Sequence, residues 1–173
     1  MAVLPIYLYG RPVLRKKAKP VLRADSEVVR LAEDMVETMK NANGIGLAAN
    51  QVGSLRRVLV ADIGETSEEN RGMPPLVMIN PVLVHETGTW SMEEGCLSIP
   101  DIRDEVERAE KITVRYRDLA FEEREITAEG LLGRVILHEI DHLNGVLFID
   151  RLSFAKRSLI KAKLKTLAGG GKE

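Results

Sequence analysis

Two of the three histidines in this chain stand four residues apart in His138-Glu139-Ile140-Asp141-His142. The surrounding apolar positions, Leu131, Leu132, Val135, Ile136 and Ile140, recur at helical spacing, which predicts a helix from Ala128 through His142. On a helix, residues four apart differ by about 40° around the axis, so both imidazoles leave one face, one turn apart. They can grip one metal ion. Glu139 and Asp141 fall about 60° to opposite sides of the histidine stripe, so the two carboxylates cannot share one role. The glutamate directly after the first histidine is placed to handle the proton of a water at that ion, whereas the aspartate suits a supporting bond.

A histidine pair does not hold a catalytic divalent ion alone, because such sites show three protein ligands and one open position. Cys96, in Glu94-Gly95-Cys96-Leu97-Ser98, is the better candidate for the third: a thiolate is a strong soft donor, and Gly95 permits close backbone approach. As the single cysteine it cannot close an intramolecular disulfide, and its other reading is buried packing. His85, in the strand-like Pro81–Glu86 segment, has no supporting motif and reads as an ordinary core or surface histidine. A ligand set of one sulfur and two nitrogens admits Zn²⁺, Fe²⁺, Ni²⁺ or Co²⁺.

The 173 residues suit one compact domain, and with 45% apolar and 29% charged residues the composition is that of a globular protein. No apolar run approaches the roughly 18 residues of a membrane span. Met1–Gly10 lacks a basic flank and does not read as a signal or transit peptide, so the expected compartment is the cytoplasm, with no membrane partner. Charge is uneven: residues 151–173 hold seven Lys or Arg against one Glu, while the remainder is acidic. A solvated helix face explains this simply; contact with an anionic partner such as RNA is the alternative.

Asp25 or Ser26 can cap a helix whose stripe is Val28, Leu31, Ala32, Met35, Val36 and Met39, ended by a left-handed residue at Asn43 or Gly44. Strands are expected at Arg57–Asp62 and Leu76–Val84 around a polar loop, and Lys111–Arg117 with Phe121–Thr127 reads as a half-buried hairpin. Ser153 caps a last helix carrying Phe154, Leu159, Ile160 and Leu164. The expected fold class is α+β, with mixed or antiparallel sheets packed around the central metal-binding helix and with an N-terminal and a C-terminal helix. In domain terms, residues 1–150 form the catalytic domain, 151–167 a basic helix packed on or extending from it, and 168–173 a frayed tail.

Three segments, Gly44-Ile45-Gly46-Leu47-Ala48-Ala49-Asn50-Gln51, Glu94-Gly95-Cys96-Leu97-Ser98 and His138-Glu139-Ile140-Asp141-His142, resemble in order and spacing the signature motifs of the peptide deformylases. The likeness extends to Gly10-Arg11-Pro12-Val13-Leu14-Arg15 and Leu143-Asn144-Gly145-Val146-Leu147-Phe148, and covers roughly the first 150 positions. The resemblance implies a hydrolase that removes the formyl group from the N-terminal formylmethionine of nascent polypeptides, usually with Fe²⁺ in cells. It implies Cys96, His138 and His142 as metal ligands and Glu139 as general base and acid. An oxyanion would be met by the Gln51 side-chain amide and the Leu97 backbone N–H. Ile45, Leu131 and Val135 would line the methionine pocket, and Gly46 would offer main-chain hydrogen bonds to an extended substrate. Arg103 is read equally as a substrate contact or a surface ion pair. Arg134 is expected to flank the pocket with its aliphatic stem and send its head to solvent. Leu137 and Gly133 depart from the family's commoner glutamine and alanine, which bears on polarity around the ligands and on stiffness of the helix. Because family members meet nascent chains at the ribosome, the basic C-terminal helix is a candidate for transient ribosome contact; nothing points to DNA. Rival readings are a zinc peptidase, a structural metal site with four protein ligands, and an RNA-binding module.

Overall fold

The four consecutive apolar residues Val58-Leu59-Val60-Ala61 can be satisfied only by a strand covered on both faces, because alternate side chains point opposite ways. In the computed structural model, which describes residues 1–170, they form β2 (Val58–Ala61), and all four are buried. Val58 and Val60 face the first helix, α1 (Ser26–Asn41), together with Ala32, Met35 and Met39. Leu59 faces the other way, into a cluster with Ile136, Leu137, Ile140 and Leu143 of α2 (Gly130–Leu143). Two helices therefore sandwich one sheet, and α2 is buried along nearly its whole length.

That sheet has five antiparallel strands. With β1 (Gly46–Ala48), β3 (Leu76–Thr87), β6 (Lys111–Arg117) and β7 (Glu123–Glu129), its order is β1-β2-β3-β6-β7, so β1 is an edge. Asp25 caps α1 by accepting from the Val28 N–H at 3.0 Å, and Asn43, at φ 56°, takes the left-handed position after the helix. The β6–β7 hairpin forms, with its second strand beginning two residues later than the sequence suggests. Phe121 adopts φ 61° in the turn, and the Asp118 carboxylate accepts from the Ala120 and Glu122 N–H groups.

The sequence patterning marks neither strand of the second sheet. β4 (Trp90–Cys96) and β5 (Ile99–Arg108) pair as a separate antiparallel hairpin. Its Ile99, Ile102 and Val106 bury against Leu147, Phe148, Ile149, Leu152 and Leu164, each large side chain adding about 1.5–3 kcal/mol of burial. Leu164 comes from α3 (Phe154–Gly170), whose start is capped by Ser153 Oγ accepting from the Lys156 N–H at 3.2 Å. The helix continues through Ala168–Gly170, part of the tail expected to fray, and Gly10 packs against Ala168 closely enough that a β-carbon would fall 2.8 Å from its methyl. Residues 171–173 of that expected tail lie outside the described residues. Among the described residues no helix is long and apolar enough to cross a membrane.

Candidate metal and catalytic centre

Cys96 closes β4 and the two histidines ride on α2, and the packing of hairpin against helix brings their donor atoms within 4.8 Å of one another. Cys96 Sγ lies 3.3 Å from His142 Nε2. Among the described residues no fourth His, Cys, Asp or Glu joins them at that spacing. His85 plays no part: it lies on β3, exposed, across from Thr113.

The ligands fit a divalent cation electrostatically as well as by distance. His138 Nδ1 is 2.9 Å from Glu94 Oε1, and a carboxylate there fixes the tautomer with the proton on Nδ1 and the lone pair on Nε2. Burial disfavours a charged His138, but Cys96 and Glu94 outweigh it and hold its pKa up at about 10. The pull that keeps a proton at that ring is the pull a metal ion would feel in its place. Burial, aided by neighbouring His138, pushes His142 well below its ordinary value, so it stands as a neutral donor.

Glu94 and its partners were not recognised in the sequence. Burial alone would raise this carboxyl, yet the bonds from His138 and Arg108 hold it down at about 2. Arg108 forks onto it, Nε to Oε2 at 2.7 Å and Nη2 to Oε1 at 3.0 Å, and spends Nη1 on Asp141 Oδ2 at 2.8 Å. Asp141 also takes Arg151 through both oxygens, at 2.6 and 2.7 Å. The second carboxylate of the helical motif thus ties α2 to the hairpin and to the segment before α3.

Arg134 corrects the expectation of a solvated head. Its side chain is 3% exposed, and the guanidinium bonds Glu94, the Val106 carbonyl at 2.8 Å and the Trp90 carbonyl at 2.7 Å. A buried cation needs such partners. The available signal was position: Arg134 precedes His138 by one turn on the same buried face, so an acidic partner was required.

Glu139 is 4% exposed, its Oε2 has no hydrogen-bond partner among the described residues, and burial raises its pKa to about 7. A carboxyl poised there can take and return a proton near neutrality. Gly46 on β1 makes room for it: a β-carbon at that position would fall 2.6 Å from Glu139 Oε1 and 2.8 Å from a Val135 methyl. Gln51, 1% exposed, has its amide orientation set, with Oε1 accepting from the Ala48 N–H at 2.9 Å. Its Nε2 therefore faces Ser98 Oγ at 3.1 Å and Cys96 Sγ at 3.6 Å.

Gln51, Cys96, His138 and Glu139 line a cleft of about 360 Å³ together with Ile45, Gly46, Leu97, Leu131 and Val135. Arg103 lies on its rim, bonded to Glu93 at 2.8 Å, with both side chains well exposed. Leu137 points away from the cleft into the core cluster shared with Ile112 and Val114. Gly133 packs tightly on the end of β7, where a β-carbon would come 3.1 Å from the Ala128 carbonyl oxygen.

A family model described as polypeptide deformylase matches residues 3–158. The peptide deformylase of Salinibacter ruber is 47% identical over 97% of this chain and 90% of its own length. That of Alkalilimnicola ehrlichii is 47% identical over 99% and 94%. Among solved structures, the peptide deformylase of Thermus thermophilus superposes with a TM-score of 0.89 at 43% identity, covering 98% of this chain and all of that one. A Synechococcus elongatus peptide deformylase in complex with actinonin gives 0.85 at 42% identity over 92% and 87%.

Proposed function

The chain belongs to the peptide deformylase family of hydrolases, and on that premise we propose that it cleaves the formyl group from the N-terminal formylmethionine of nascent polypeptides in the cytoplasm, yielding formate and a free amine. The observation that carries this reading is the gathering of Cys96, His138 and His142 at one point, with Cys96 and His138 lining the same cleft as Glu139 and Gln51. Cys96, His138 and His142 would hold one divalent ion, Fe²⁺ in cells and replaceable by Zn²⁺, Ni²⁺ or Co²⁺. Bound there, such an ion would acidify a water and polarise the formyl oxygen.

The protein's own groups supply the rest. Glu139 takes the proton of the attacking water and hands it to the departing amine nitrogen. The Gln51 Nε2–H and the Leu97 backbone N–H meet the negative charge that gathers on the formyl oxygen. Edge strand β1 offers Gly46 to an extended substrate backbone, so that peptide joins the sheet without a side-chain clash. Ile45, Leu131 and Val135 receive the methionine side chain, whose thioether suits an apolar wall. Arg103 reaches the substrate backbone from the rim. The basic face of α3, with Arg157, Lys161 and Lys165 exposed, adds transient ribosome affinity.

The test is formate release from formyl-methionyl peptides by protein loaded anaerobically with Fe²⁺, beside Glu139→Ala. The variant should keep its metal and lose about 10²–10⁴-fold in turnover. Release of internal peptide fragments in place of formate, or full turnover without Glu139, would refute the reading.

A further inference from the structure

The three ligand side chains come from sheets that share no ladder hydrogen bond: Cys96 ends β4 of the hairpin, while His138 and His142 belong to the helix packed on the five-stranded sheet. Their mutual placement therefore depends on side chains that cross from α2 to the hairpin. Arg134 makes the densest such crossing. Its Nη2 bonds the carbonyl of Trp90, the first residue of β4, and its Nη1 bonds the carbonyl of Val106 near the end of β5, so one guanidinium grips both strands at the base of the hairpin. The Arg134 Cζ sits 4.4 Å from the centroid of the Trp90 ring, a cation–π contact in a dry setting. The same Nη1 reaches Glu94 Oε2.

We propose that Arg134 is a positioning residue for the metal centre, holding the Cys96 hairpin at its distance from the histidine pair and anchoring the Glu94 carboxylate that bonds His138. The inference rests on the reading of Cys96, His138 and His142 as metal ligands. Glu94 accepts four bonds, with His138 Nδ1 and Arg108 Nη2 on Oε1, and Arg108 Nε and Arg134 Nη1 on Oε2. Arg134 Nη1 thereby ties the carboxylate that orients His138 to the same guanidinium that holds both strands of the hairpin. Without Arg134, Glu94 keeps Arg108 and His138, which leaves the centre assembled but looser. Lysine at this position would keep the charge and lose the fork that reaches three acceptors; methionine would keep the stem alone.

The experiment compares Arg134→Lys and Arg134→Met with the parent protein, each loaded with Co²⁺, by visible absorption and by the rate of metal transfer to a chelator. Changed thiolate-to-cobalt and ligand-field bands are expected in both variants. Release should be roughly tenfold faster in the methionine variant, with lysine intermediate, in line with the usual 10–100-fold effect of such supporting partners. In steady state kcat for the formyl peptide should fall. Folded variants with the parent spectrum and release rate would overturn the proposal, whatever their thermal stability. Should Arg134→Met fail to fold, Arg134→Lys decides by the same readouts, and loss of fold in both would reduce Arg134 to a structural bond and equally overturn it. A parent protein that takes up no Co²⁺ would instead sink the metal reading, and this inference with it.

Discussion

Glu139 Oε1 stands 2.6 Å from where a β-carbon on Gly46 would lie, so that carboxylate occupies space that exists only because β1 carries a glycine there. A Gly46→Ala chain must push that carboxylate aside or shift a strand bonded to β2 at Ala61. The side chain yields first, since rotating a carboxylate costs less than breaking a ladder. We expect kcat to fall at least about tenfold, within the 10²–10⁴ that positioned proton transfer contributes. Metal content should be unchanged. Normal kcat in a folded, metal-replete Gly46→Ala protein would show that Glu139 does not act from this position.

Metal removal should cost stability as well as activity, because the donor atoms of Cys96, His138 and His142 are assembled only in the folded chain. A ligand that binds the native state alone stabilises it by about 2.7 kcal/mol at a free concentration one hundred times its Kd. Calorimetry of chelated and Co²⁺-restored protein should show a higher Tm in the restored form and recovery of formate release. Equal Tm values with recovered activity would mean that the site also forms in the unfolded chain.

How much of this could be read beforehand followed the range of the interactions. α1, the β6–β7 hairpin and α2 announce themselves by local periodicity and caps, and the histidine pair needs only helix geometry to be brought together. The β4–β5 hairpin does not announce itself, because Glu93, Glu94, Arg103, Asp104, Glu105, Glu107 and Arg108 make Trp90–Arg108 look like a solvated loop. Glu94 and Arg108 are nevertheless buried, and what makes that tolerable is their bonding to each other, of Glu94 to Arg134, 40 positions on, and of Arg108 to Asp141, 33 positions on. Composition sees such residues as polar; only the tertiary fold supplies their partners. Arg134 was misjudged for the same reason.

Asp104 on β5 accepts from Lys156 Nζ on α3 at 3.0 Å, a bond that lowers its pKa below the ordinary 3.8. A carboxyl whose folded-state pKa is depressed contributes stability that is complete well above pH 3.8 and disappears as pH falls below that value toward the lower folded one. Asp104→Asn should therefore lower stability near neutrality by no more than about 0.5 kcal/mol, as befits an exposed pair. Urea titrations of parent and variant should converge in the acid, once the pH has fallen below the depressed folded-state value of Asp104. A gap that widens toward acid pH would assign the acid-linked stability to another carboxyl.

If α3 supplies ribosome affinity, the effect has to be separated from its structural work. Leu152 and Leu164 pack beside Phe148 and Ile99, and Arg151 holds Asp141, so deleting residues 151–173 would open the core and disturb the support of the metal centre. Charge reversal at Arg157, Lys161 and Lys165 leaves those contacts alone, because all three side chains are exposed, and Lys156 stays in place for Asp104. The triple reversal should preserve Tm and hydrolysis of short formyl peptides. Its ribosome affinity should drop, with the slope of log K against log salt shallower by about 2, the value for three lost phosphate contacts. Unaltered, salt-steep binding would move the ribosome contact off this helix and leave its charge as solvation only.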